Sequence, residues 1–237
     1  MLINRSNLTL SFPSCKVGCA YMPSTNEHLI INFNSLQNQM RKMPTCHFKE
    51  KLGAPDYSWM RQSGFFAMNL GFQLNNHSHD VFIHARRETP QCQGEFAGDK
   101  FHISVLGDMV PQAFQALSGL LFSEDSPIDK WKVTDMEQVN QQDRVGLGAQ
   151  LTLYIKPDQK NSQYSVSSLL KIRQFIERLE SRLSENGLVP GQYPESDVRP
   201  ENWKYCSYRN ELRSERDGGV MQNQALREEP FYRLMIE

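Results

Sequence analysis

Residues 98–106 read GDKFHISVL, an alternation that sets Phe101, Ile103 and Val105 against Lys100, His102 and Ser104. Side chains on a strand have period two, so this stretch predicts a strand with one face on a core and a lysine and a histidine together on the other. The design recurs. HDVFIHARR (79–87) turns Val81, Ile83 and Ala85 inward with Phe82, His84 and Arg86 opposite, and DKWKVTDM (129–136) puts Lys132 with Thr134. AQLTLYIKP (149–157) sets Thr152, Tyr154 and Lys156 against Leu151, Leu153 and Ile155. Strands of this kind belong in a sheet packed on one side and polar on the other.

Helical stretches lie between and around them. Ser24-Thr25-Asn26-Glu27 has the form of a capping box, and Leu29, Phe33, Leu36, Met40 and Met43 follow at helical spacing. Asp108 is placed to cap a helix carrying Val110, Phe114, Leu117 and Leu121, with Pro111 tolerated in its first turn. Leu169, Ile172, Ile176, Leu179 and Leu183 make the stripe of a longer helix that Asn186-Gly187 stops. Residues 188–237 are rich in Pro, Gly and charge and end in a short segment, EEPFYRLMIE. The irregular interleaving predicts an α+β class: a single compact domain over 24–237, a twisted sheet flanked by helices. Residues 1–23, polar and holding Pro13 and Pro23, are expected to form a flexible N-terminal segment.

A net charge of −1 over 237 residues provides no global basic field, which argues against nucleic-acid binding. No run approaches the ~20 apolar residues of a membrane span. The N-terminus lacks the apolar core of a Sec signal, and Lys16 speaks against reading Val17-Gly18-Cys19 as a lipoprotein site. Cys15, Cys19, Cys46, Cys92 and Cys206 show no CxxC spacing, so neither a disulfide framework nor a zinc site is indicated. His77-Ser78-His79-Asp80 is the one candidate metal cluster and reads more simply as an exposed turn. His28 and His47 receive no role. There is no GxxxxGK[ST] loop, Gly146-Leu147-Gly148 reads as a turn, and Cys206 and Arg213 are spaced one residue too far apart for a cysteine phosphatase.

What remains is cationic. The polar strand faces carry Arg86, Lys100, His102, Lys132, Tyr154 and Lys156, and the loops are expected to add Arg144, Arg209, Arg213 and Arg216. Singly, each reads as half of a surface ion pair with a neighbour such as Asp135, Asp143, Glu211 or Glu215. Gathered on one sheet, they predict a pocket for phosphate, which arginine holds bidentately. A lysine crowded by cations is pushed toward the range of a base, and a histidine beside an anion is a natural proton donor. These residues leave open an enzyme or a module that only binds phosphopeptides, and they do not separate elimination from hydrolysis.

DVFIHARRE, GDKFHISV, LSGLLFSEDSPIDKWKVTDM, YRNELRS and ALREEPFYRLM resemble the phosphothreonine lyases, the SpvC/OspF-type effectors that bacterial pathogens inject by type III secretion. The resemblance runs from the Asn4-Arg5 region to Glu237. It implies removal of phosphate from phosphothreonine in the Thr-x-Tyr activation loop of a doubly phosphorylated host MAP kinase. The reaction is a β-elimination that leaves dehydrobutyrine, without metal or cofactor. Carried onto this chain, Lys132 matches the general base and His102 the general acid, with Lys100 and Tyr154 in support. Arg144, Arg209 and Arg216 match the phosphate-holding arginines. Arg86, Lys156, Phe82 and Phe96 match the side that receives the phosphotyrosine, and Arg213 is set aside as structural. Arg5, Leu8 and Leu10 match a MAP kinase docking segment. A monomer that acts in the host cytoplasm and nucleus, with no nucleic-acid or membrane partner, is the expectation. The alternatives are a hydrolytic phosphatase on the same substrate and a non-catalytic phosphopeptide reader.

Overall fold

The computed structural model describes residues 24–63, 65–76, 80–140 and 143–237. Residues 1–23, with Arg5, Leu8 and Leu10 of the expected docking segment, and the histidines at 77 and 79 lie outside them. Among the described residues seven strands form one antiparallel sheet: β1 (Phe65–Asn69), β2 (Phe72–Asn75), β3 (Phe82–Arg87), β4 (Asp99–Ile103), β5 (Lys130–Thr134), β6 (Leu151–Tyr154) and β7 (Cys206–Asn210). Their spatial order is β1-β2-β3-β5-β6-β4-β7. The helices are α1 (Thr25–Lys42), α2 (Tyr57–Gln62), α3 (Val110–Leu121), α4 (Arg144–Leu147), α5 (Val166–Glu185), α6 (Val220–Arg227) and α7 (Pro230–Ile236). The α+β architecture read from the sequence is the one found. No helix of the described residues is long and apolar enough to cross a membrane.

The alternation does what its period demands. Phe101 and Ile103 of β4, Trp131 and Val133 of β5, and Leu151 and Leu153 of β6 are all fully buried on one face. The apolar stripes of α3 and α5 cover that face. Trp131 sits at the centre, its ring 5.3 Å from Phe122, 5.9 Å from Phe114 and 6.2 Å from Phe72. Such aromatic contacts add orientation to an area-driven core. At the start of α1 both halves of the capping box form, with Ser24 Oγ accepting from the Glu27 N–H and Glu27 accepting from the Ser24 N–H.

Three local expectations are corrected. Asp108 makes no capping bond: a 3₁₀ turn at Gly107–Met109 leads directly into α3, and Pro111 stands in the first turn with no N–H to satisfy. Gly146-Leu147-Gly148 is not a plain turn, since Gly146 ends up inside the short α4. Gly148 follows in extended form, and a Cβ there would lie 1.6 Å from the Gln192 carbonyl oxygen, so the close approach of that stretch of chain requires glycine. The third correction matters most. Arg209 lies in a strand, not a loop: β7 pairs with β4 at the end of the sheet, inside a stretch whose Pro and Gly content conceals it.

Candidate active site

Strand register turns the polar face into two transverse rows. Across β3, β5, β6, β4 and β7 the first row reads His84, Lys132, Thr152, His102, Ser207. The second reads Arg86, Lys130, Tyr154, Lys100, Arg209. Neighbouring strands stand ~4.8 Å apart, so residues opposite one another in a row are in reach of a common small ligand. Lys100 and His102, which share a strand face, thus belong to different rows of one cationic recess.

That recess, about 280 Å³, is walled by Phe82, Lys100, His102, Lys132, Thr152, Tyr154 and Arg209, by Arg144 at the start of α4 and not in the loop expected for it, and by Arg216 from a loop. A larger hollow of about 710 Å³ lies among α2, α3 and the end of α5, on the helical side of the sheet. Its arginine, Arg182, is already held by Glu50 at 3.0 Å, so size does not identify the functional site and chemistry does.

Arg144 and Arg216 at the edge of the recess are exposed, whereas three of its cations are buried, with Lys100 9% exposed, His102 5% and Arg209 4%. Burial sets their proton affinities. It lowers Lys132 to about 8; Asp80 and Glu211 oppose that shift, while Lys100 and Lys130 add to it. The Lys132 ammonium lies 3.3 Å from the centre of the Phe82 ring, which fixes the amine and keeps water from one side of it. Burial also lowers Lys100, although Glu211 accepts from its Nζ at 3.0 Å. Burial lowers His102, against the pull of Asp197. Tyr154 is pushed up to about 12, chiefly by burial, and stays a phenol.

Asp197, which the sequence reading missed, orients His102. Its Oδ2 lies 2.6 Å from His102 Nδ1 and accepts from Ser207 Oγ at 2.7 Å, and Oδ1 accepts from Ser196 Oγ at 3.0 Å. Burial works against this charge, but His102 and the two hydroxyls outweigh it and hold the carboxyl below the usual carboxylate range. An ionised Asp197 at Nδ1 leaves Nε2 as the atom free to deal with a ligand. The arginines are braced as well. Arg144 donates to Ser196 Oγ at 3.1 Å, and Arg209 donates to the Ser214 hydroxyl at 3.0 Å and its carbonyl at 2.9 Å.

The phosphotyrosine-side residues separate. Phe82 walls the recess, and Phe96 packs against its Tyr154 rim with ring centres 5.8 Å apart. Arg86 stands exposed on β3 and Lys156 half-buried two residues past β6, neither in the recess wall. Lys130, also missed, stands between Arg86 and Tyr154 in the second row, its ammonium 4.6 Å from the Tyr154 ring centre. Arg213 points elsewhere, paired with Glu229 at 2.8 Å. Among the described residues no group of three or more His, Cys, Asp or Glu gathers to hold a metal ion. Lys130 was legible as a cation in register with Lys132; nothing local marked Asp197, whose partner is 95 residues away in the chain.

The OspF/SpvC family pattern matches residues 3–237. The MAPK phosphothreonine lyase of Salmonella typhimurium is 77% identical over 241 residues, covering all of both chains. The solved Salmonella plasmid virulence C protein shares 81% identity and a TM-score of 0.89, covering 91% of this chain and all of that one. The type III effector and phosphothreonine lyase OspF of Shigella flexneri shares 60% identity and a TM-score of 0.80, covering 88% of this chain and all of that one.

Proposed function

The chain belongs to the OspF/SpvC family of phosphothreonine lyases, and from that premise we propose that it removes phosphate by β-elimination from the phosphothreonine of a doubly phosphorylated Thr-x-Tyr loop in host MAP kinases. The observation that carries the reading is the first row, where Lys132 and His102 flank the small side chain of Thr152. Placed over Thr152, a phosphothreonine has the amine on its Cα side and the imidazole on its phosphate side.

The neutral Lys132 amine takes the Cα proton. The electron pair left behind forms the Cα=Cβ bond, the Cβ–O bond breaks, and the phosphate departs with a proton from His102 Nε2. Dehydrobutyrine remains, and without a hydroxyl it cannot be phosphorylated again. Arg144, Arg209, Arg216 and Lys100 hold the phosphate and take up its growing charge. They supply that charge without metal or cofactor. Tyr154 donates its phenol hydrogen at the same centre. The second phosphate lies toward Phe82 and Phe96, with Arg86, Lys156 and Lys130 as its cations. Residues 24–237 form the catalytic unit, and residues 1–23 serve secretion by the type III route and docking to the kinase through Arg5, Leu8 and Leu10. The protein works as a monomer in the host cytoplasm and nucleus, without a nucleic-acid or membrane partner.

The test is the mass of a doubly phosphorylated Thr-x-Tyr peptide after incubation with the protein. A product lighter by one water than the threonine peptide is expected. The mass of plain threonine would mean hydrolysis, and an unchanged peptide that stays bound would mean a phosphate reader.

A further inference from the structure

Two more hollows continue from the recess, the first sharing walls with it and the second with the first. The first, about 380 Å³, has Arg144 and Arg216 in common with the recess and adds Leu147, Tyr193, Pro194, Glu195 and Asp217. The second, about 590 Å³, shares Tyr193 and Glu195 with the first and ends at Val220. Together they form a groove that leaves the recess between two arginines. It departs on the β4–β7 side, since the 192–197 segment that walls it also brings Asp197 to His102 and Ser207. Phe82 stands at the other side, on β3.

Chain direction then assigns the groove, given the lyase reading on which this rests. In Thr-x-Tyr the tyrosine follows the threonine, and two residues of extended chain advance ~7 Å. With the threonine phosphate on Arg144, Arg209 and Arg216 and the tyrosine toward Phe82, the substrate runs from β7 toward β3. Residues before the threonine therefore lie on the β4–β7 side, and the groove that opens past Arg144 and Arg216 is the one within their reach. We infer that this groove receives the residues preceding the phosphothreonine and selects an apolar side chain immediately before it.

The lining supports that choice. Leu147 is 44% exposed at the mouth, with the Pro194 ring and the face of Tyr193 beyond it. Tyr193 is braced by Arg199, whose guanidinium carbon lies 4.2 Å from the ring centre. The carboxylates of Glu195 and Asp217 border the hollow and disfavour an acidic residue there. Leu147 and Tyr193 touch neither phosphate nor reacting atoms in this arrangement, so they act on specificity alone.

The experiment measures kcat/KM on three doubly phosphorylated peptides: one acetyl-capped directly at the phosphothreonine, one with leucines before it, and one with an aspartate immediately before it. The leucine peptide is expected to be about tenfold better than the capped one, in line with a single apolar contact, and the aspartate peptide worse than the capped one. In Leu147→Ser and Tyr193→Ala the leucine advantage collapses while turnover of the capped peptide holds at the wild-type level. Leu147 is exposed, so its variant folds even if truncating the half-buried Tyr193 does not. Equal rates on all three peptides, or an equal loss on all three in Leu147→Ser, would overturn the assignment. No elimination product from any peptide would instead overturn the lyase reading beneath it.

Discussion

Lys132 and His102 stand in one transverse row of the sheet with a single residue, Thr152, in the strand between them. Two interstrand spacings set their backbones ~10 Å apart, about the span of a base, a Cα–Cβ–O unit and an acid in sequence. The sheet itself is the ruler. Neither residue can approach the other without breaking the β5–β6 or β6–β4 ladder, so the distance between base and acid is as rigid as the core beneath it.

Thr152 is therefore the floor on which the substrate rests. Thr152→Leu, which adds bulk in the gap, is expected to lower kcat/KM at least ~100-fold by lifting the reacting atoms about an ångström out of line. The melting temperature should change little, because the side chain faces the recess and not the core. Steady-state kinetics and a thermal melt on the same preparation decide it. An unimpaired enzyme would remove Thr152 from beneath the reaction.

The pH profile follows from two opposed requirements. Lys132, at about 8, must be neutral, and His102, lowered by burial from its usual value of 6.5, must be protonated. Because the acid's pKa lies below the base's, the working form carries as many protons as the form that dominates between the two. Its population therefore rises as pH climbs through the histidine's pKa and falls as pH passes about 8. A bell-shaped kcat/KM with its alkaline limb near 8 is expected. A rate that keeps rising beyond the lysine's titration would mean that no protonated acid is needed, and His102 would lose its role.

Asp197 holds the imidazole by Nδ1, and its charge favours the imidazolium. Asp197→Asn keeps the shape but removes the charge. A fall in kcat of about 100-fold to 10,000-fold is expected, with KM nearly unchanged because the arginines still hold phosphate. Loss confined to KM would make Asp197 a brace for Arg144, which faces it at 3.8 Å, and not for the acid.

The legible parts of this protein were those with a local period. GDKFHISVL announced a strand and put Lys100 and His102 on one face; the stripe from Leu169 to Leu183 announced α5, and Asn186 caps it as expected. β7 is hidden in the sequence because its core-facing residues, Cys206, Tyr208 and Asn210, lack the aliphatic contrast that marks β4, and because its neighbours read as loop. Asp108 was misjudged because the chain can enter a helix through a 3₁₀ turn without a side-chain cap. Asp197 and Glu180 carry no local signature at all. Their roles arise from contacts the fold makes between distant segments, and Glu180 sits in α5 among apolar neighbours as an unremarkable charged residue.

Glu180 supplies the last prediction. Its buried carboxylate accepts from three consecutive backbone N–H groups, those of Lys204, Tyr205 and Cys206, at the entry to β7. Lys204 and Tyr205 precede β7 and Cys206 is its first residue, and all three amides are directed at Glu180 and not at a strand partner. Glu180→Ala leaves two buried donors and one part-buried donor unmet, and a loss of about 3 kcal/mol is expected, read as a lowered urea midpoint with an unchanged slope. Glu180→Gln keeps one acceptor oxygen and should lose less. The defect should also reach the site, since β7 carries Arg209 into the second row opposite Lys100. At a temperature where the variant is fully folded, KM for the phosphopeptide should rise more than kcat falls, because Arg209 binds phosphate but moves no proton. A variant that lost stability with KM intact would show that β7 is held in register by Lys100 and its ladder alone.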